Sequence, residues 1–87
     1  MSAAKKFKQP RVIEALLGRR KALGLYHPDD GTIEIDKRLT GKARLDTLIH
    51  EYLHHISPKT PEEQVNAAAT AMADFLWKNR IRIIDEA

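Results

Sequence analysis

The chain has 87 residues with 43% hydrophobic content, no cysteine, 15 Lys/Arg against 12 Asp/Glu and a net charge of +3. That length suits one small core and leaves no room for two. The absence of cysteine excludes disulfides and thiolate metal sites, and no apolar run approaches membrane-spanning length.

Charge is uneven along the chain. Residues 1–24 carry seven Lys/Arg against the single Glu14, and the remainder is net acidic. Residues 1–9 read as a flexible basic arm with Lys5, Lys6 and Lys8, and residues 10–87 as a single domain. Arg19-Arg20-Lys21 forms a second basic cluster. Such an arm can contact nucleic-acid phosphates, but no aromatic interleaving or base-reading motif accompanies it, and a solvated tail is the plainer reading. No apolar signal segment opens the chain, so the expected location is cytoplasmic.

From Pro10 to Leu23 the pattern predicts a helix. Pro10 stands at its first position, Val12, Ile13, Leu16, Leu17 and Leu23 lie on one side, and Gly24 ends it, although Gly18 weakens the middle. Leu25-Tyr26-His27 and Thr32-Ile33-Glu34-Ile35-Asp36 read as two strands of an antiparallel hairpin around Pro28-Asp29-Asp30-Gly31, with Ile33 and Ile35 facing the helices.

Residues 41–56 form the next predicted helix, with Thr40 as N-cap and Pro58 beyond its end. Leu45, Leu48, Ile49, Tyr52, Leu53 and Ile56 recur at helical spacing as its packing stripe. His50, Glu51 and His54 fall on the other side. A further helix runs from Pro61 to about Asn79, with Val65, Ala69, Met72 and Leu76 as its buried stripe. Ile81-Arg82-Ile83-Ile84 then reads as an edge strand or an extended tail.

The chemistry lies in His50-Glu51-Tyr52-Leu53-His54. Histidines four apart on a helix share one face, so both imidazoles reach one point in space. That point suits zinc, and the Glu after the first His is placed to activate a metal-bound water. A catalytic zinc normally takes three protein ligands. A metzincin would have His at position 60, where this chain has Thr60. Glu62 and Glu63 remain as third ligand. Thr60-Pro61-Glu62-Glu63 reads as N-cap, N1, N2 and N3, which assigns Glu63 to a capping box. Glu62 is thus free, in line with the second helix's buried stripe, and is preferred, with Glu63 as the alternative. Asn66, one turn on, is placed to hydrogen-bond a ligand, and Asp46, one turn before His50, either orients that imidazole or is a solvated charge.

His50-Glu51-x-x-His54 followed by Glu62-x-x-Val65-Asn66-x-Ala68-Ala69 resembles the ImmA/IrrE-type zinc metallopeptidases, whose second helix carries Glu-x-x-Ala-Asn/Asp-x-Phe-Ala. Val65 stands here for the Ala and Ala68 for the Phe, and the link from His54 to Glu62 is shorter than in that family. The chain is also similar to SprT-like domains and, through Leu76-Trp77, to small phage-encoded peptidase-like proteins. The resemblance spans roughly residues 24–80. It implies an α+β minimal zincin, a small antiparallel sheet packed on an N-terminal helix and two metal-binding helices. It further implies Thr32 to Asp36 as the edge strand that holds an extended substrate.

The expected function is therefore a zinc-dependent metallopeptidase acting on an extended protein segment. His50, His54 and Glu62 hold Zn2+, and Glu51 is the general base. Zincins usually add a His, Tyr or Arg donor for the oxyanion; Tyr26, His27 and His55 are the candidates, with Tyr52 read as core. Two alternatives stand beside this reading. One is a catalytically inactive zinc-binding interaction domain; the other is a nucleic-acid-associated module with a structural metal. No residue demands an oligomer.

Overall fold

The structure, a computed structural model, describes residues 7–18 and 22–83. Three strands precede two helices: β1 (Arg11–Ala15), β2 (Gly24–His27), β3 (Thr32–Asp36), α1 (Gly41–Ile56) and α2 (Glu62–Lys78). The molecule is an α+β domain in which a small sheet packs on α1 and α1 packs on α2.

β3 is the middle strand. It pairs with β1 in parallel, Val12 opposite Ile33, and with β2 antiparallel, Tyr26 opposite Ile33. Ile33 and Ile35 alternate onto the helix-facing side and are the most deeply buried residues of the sheet, as a period of two requires. The β2–β3 connection uses the expected turn. Gly31 adopts φ +69°, a left-handed conformation that glycine enters without steric cost. Its N–H donates to the His27 carbonyl at 2.9 Å, and Asp30 Oδ1 accepts from the Thr32 N–H at 3.0 Å.

Three expectations need correction here. The predicted helix over 10–23 is not formed: Arg11–Ala15 is a strand, and residues 22–23 are irregular. Val12-Ile13 followed by Leu16-Leu17 satisfies a helical period, but pairing with β3 satisfies five consecutive backbone positions at once. The sheet is consequently mixed rather than antiparallel, and β3 is central, so Thr32–Asp36 has no free edge. The open edges belong to β1 and β2. At the far end, Ile81-Arg82-Ile83 forms no strand. Lys5 and Lys6 of the basic arm, the Arg19-Arg20-Lys21 cluster and Ile84 lie outside the described residues.

α1 has the bounds expected from its stripe, with Thr40 at the N-cap position but no side-chain cap bond. α2 starts one residue later than its sequence suggests. Pro61 occupies the N-cap position, and its carbonyl accepts from Gln64 and Val65. The Thr60 hydroxyl instead shares a 2.6 Å hydrogen bond with Ser57, so the capping box assigned to Glu63 is absent. The buried stripe of α2 is Val65, Ala69 and Ala73, while Met72 is exposed. Alanines let the two helix backbones approach closely, and this choice of face follows from size rather than from hydrophobicity. No helix among the described residues is long and apolar enough to cross a membrane.

Asp36 closes the C-terminal end of β3. Its buried carboxylate accepts from the Arg38 N–H, Nε and Nη2 at 2.9, 3.0 and 2.8 Å, and from the Leu17 N–H at 3.2 Å. These donors, Arg38 foremost, hold its carboxyl well below the ordinary value of 3.8.

Candidate metal centre

One face of α1 carries Thr47, His50, Glu51 and His54 at spacings of three and four. This face borders a cleft of about 850 Å³, whose other walls are Leu23–Tyr26 of the β2 side and Glu62, Asn66 and Thr70 of α2. The sequence places this face away from the main packing of α1. In the structure it lies against β2, and Glu51, at 7% exposure, is the one fully buried residue of the helix.

The two imidazoles converge. Their Nε2 atoms are 3.2 Å apart, and their rings meet edge to face. Glu62, the first residue of α2, lays its carboxylate across both: Oε1 is 2.7 Å from His50 Nε2, and Oε2 is 2.9 Å from His54 Nε2. One ligand atom from each of the three residues falls within 4.8 Å of the others. Bonds of about 2.0–2.1 Å at tetrahedral angles would set ligand atoms roughly 3.3 Å apart. The 3.2 Å between the nitrogens matches this, whereas the 2.7 and 2.9 Å to Glu62 are hydrogen-bond lengths. The donor set therefore suits zinc once the carboxylate draws back by about half an ångström. Glu63 takes no part in this group and does not line the cleft.

Glu51 sits beside this triad without belonging to it. Among the described residues, no backbone or side-chain group donates a hydrogen bond to its carboxylate. Burial pushes its carboxyl above the ordinary value of 4.5; His50 and His54 pull the other way, and Glu62 adds to the rise. Among the described residues no buried side-chain oxygen lacks a partner, so the Glu51 oxygens open onto the cleft, where water reaches them. Carboxyls with a raised pKa in a cleft concentrate at functional sites.

The remaining candidates separate cleanly. Tyr26 lines the cleft, and its hydroxyl lies 2.9 Å from His55 Nδ1. His55 Nε2 donates to the Lys8 carbonyl at 2.5 Å, because a carbonyl can only accept. In the neutral ring Nδ1 is then the acceptor, and the Tyr26 hydroxyl donates to it. His55 therefore holds Tyr26 rather than facing the cleft. His27 turns to the other face of the sheet and pairs with Glu34 at 2.5 Å, so it is not brought to the site. Tyr52 packs its ring beside His55 and borders a small apolar hollow with Val12, Ile33, Leu48 and Ile49, which His50 and His54 do not line. Asp46 borders the cleft and accepts from the Thr70 hydroxyl at 3.1 Å rather than orienting His50. Asn66 lines the cleft with no hydrogen bond to a ligand among the described residues.

Gly24 is the residue that the sequence conceals. It reads as a helix terminator, yet it opens β2 opposite Ile35 and lies directly on α1. A Cβ built there would stand 2.8 Å from Thr47 Cγ2 and 3.0 Å from Glu51 Cγ. Only a strand that crosses the motif helix gives this glycine a reason, and that crossing is not visible in local sequence.

Comparison with protein-family models, with curated proteins and with solved structures yields no match to this chain.

Proposed function

We propose that this protein is a zinc-dependent metallopeptidase of the zincin type, with His50, His54 and Glu62 as metal ligands and Glu51 as general base. The observation that carries the reading is the convergence of three ligand atoms beside Glu51, a largely buried residue that lines the same cleft. A zinc ion held there would act as a Lewis acid and lower the pKa of a bound water. Glu51, beside those ligands, would take a proton from the attacking water and return it to the leaving amine. Its raised affinity for a proton suits a group that must both accept and return one.

Substrate is held by β2. Its outer edge carries the unpaired backbone groups of the sheet on the cleft side, so an extended segment can add there as a further strand. That role was expected of Thr32–Asp36, but β3 is the central strand, and Gly24–His27 is the edge strand that lines the cleft. Tyr26 is the nearest candidate for oxyanion support.

One observation favours the alternative of a zinc-binding interaction domain without turnover. The hydroxyl proton of Tyr26 is already donated to His55, and no cation lines the cleft among the described residues. The two readings part on one experiment: metal content and hydrolysis of labelled casein, measured for wild type and Glu51→Gln. The peptidase reading expects zinc in both and cleavage in wild type alone. Zinc in both without cleavage in either leaves the interaction domain. Cleavage that survives in Glu51→Gln removes Glu51 as base.

A further inference from the structure

A general base works only if its carboxylate points at the water, and side chains are normally aimed by hydrogen bonds. Glu51 has none among the described residues, and its carboxylate opens onto the cleft, so the packing around its stem sets its direction. The walls that touch it are therefore part of the machinery. One wall is Gly24. It is the first residue of β2, its helix-facing side rests on α1, and the atoms nearest to a Cβ added there are Thr47 Cγ2 at 2.8 Å, Glu51 Cγ at 3.0 Å and Glu51 Oε2 at 3.2 Å. Real Cβ atoms do not tolerate the first of these distances, and the second leaves no slack. Two of the three atoms belong to the base itself.

We propose that Gly24 is the positioning residue for Glu51: the bare backbone at the head of β2 fixes where the carboxylate of the base lies, and any side chain there displaces it. The proposal rests on Glu51 acting as the base. It adds that substrate strand and base are set by one residue, since the backbone that begins the substrate-binding edge also forms the wall over the carboxylate. A shift of the edge and a shift of the base are then a single movement. None of the three atoms nearest to that Cβ belongs to His50, His54 or Glu62.

The test is Gly24→Ala in the full chain, read three ways: cobalt binding by visible titration, the Glu51 side-chain methylene signals by NMR, and hydrolysis of labelled casein. Cobalt affinity should stay within about threefold, the methylene signals should move, and kcat should fall about ten- to a hundredfold with KM nearly unchanged, the loss expected of a sub-ångström to 1 Å misplacement. Wild-type kcat or unmoved Glu51 signals overturn the proposal. The Thr47 contact is the tighter one and can unfold the variant. Thr47→Ser removes that methyl, so Gly24→Ala/Thr47→Ser compared with Thr47→Ser leaves the Glu51 contact alone; the same loss of kcat supports the proposal and equal rates overturn it. Failure of both alanine variants to bind cobalt also overturns it, since Gly24 then serves only the fold. If wild type binds cobalt but leaves casein intact, the peptidase reading falls by itself. The methylene signals then decide whether Gly24 positions Glu51.

Discussion

Asp36 and Glu51 are the two buried acidic residues among those described, and their surroundings are opposites. Asp36 ends the central strand and accepts from three groups of Arg38 and from the Leu17 backbone. Glu51 lies under Gly24 and accepts from nothing among the described residues. The first is held below its ordinary pKa by donors, and the second is pushed above it by burial. Donors on every side make the Asp36 carboxylate an element of architecture, whereas the Glu51 carboxylate opens onto the cleft. On the proposed reading, Asp36 is the structural control for Glu51.

That contrast can be broken most sharply by Glu51→Gln. Hydrolysis should fall by about 10²–10⁴-fold, the range of general-base contributions, while resistance to urea is kept or raised, because no donor loses a partner. A large loss of stability would put Glu51 with Asp36 as a structural group. The next effect in size concerns the ligands. Zinc affinity should drop at least about a hundredfold in Glu62→Ala, more than loss of an outer partner costs, and stay at the wild-type level in Glu63→Ala. Equal retention of zinc by the two variants removes Glu62 from the site.

Asp36→Asn tests the other half of the contrast. It should lower the urea midpoint more than any other single amide-for-carboxylate change in the chain, without altering cobalt affinity of the folded fraction. The smallest and most specific effect is its dependence on pH. A carboxyl with a lowered folded pKa contributes stability that is complete above its unfolded value, near 3.8, and is lost as pH falls through the folded value. The urea midpoints of wild type and Asp36→Asn should therefore differ most above about pH 4 and converge in stronger acid. A gap that stays constant down to strong acid means that the Asp36 hydrogen bonds do not depend on its charge.

The sequence made the two histidines, the hairpin turn and the limits of α1 legible because each is local. Residues four apart on a helix meet whatever surrounds them, and Gly31 closes a turn within its own neighbourhood. Glu62 was reached for a partly mistaken reason. The capping box that removed Glu63 from contention does not form, and the helix begins at Glu62 instead, whose carboxylate meets both imidazoles. What stayed hidden is long-range. Arg11–Ala15 is a strand only because β3, some twenty residues on, accepts it in parallel, and its own residues fit a helix equally well. The same pairing makes β3 central and moves the free edge to β2. In α2, Met72 looks like a better core residue than Ala73, but close helix packing prefers the smaller one.

α2 packs principally on α1, with no strand as a major neighbour, and it delivers Glu62 from its first turn. Helices held by one neighbour open at lower free energy than the elements between them. Glu62, the proposed third ligand, thus sits on an element with a single major neighbour, and ligand binding adds stability as the logarithm of ligand concentration over Kd. On the proposed reading, metal loading is then a folding event for one helix. Amide exchange in α2 should slow on adding zinc while exchange in β3 hardly changes, which makes this helix a gauge of cation supply as well as a wall of the site.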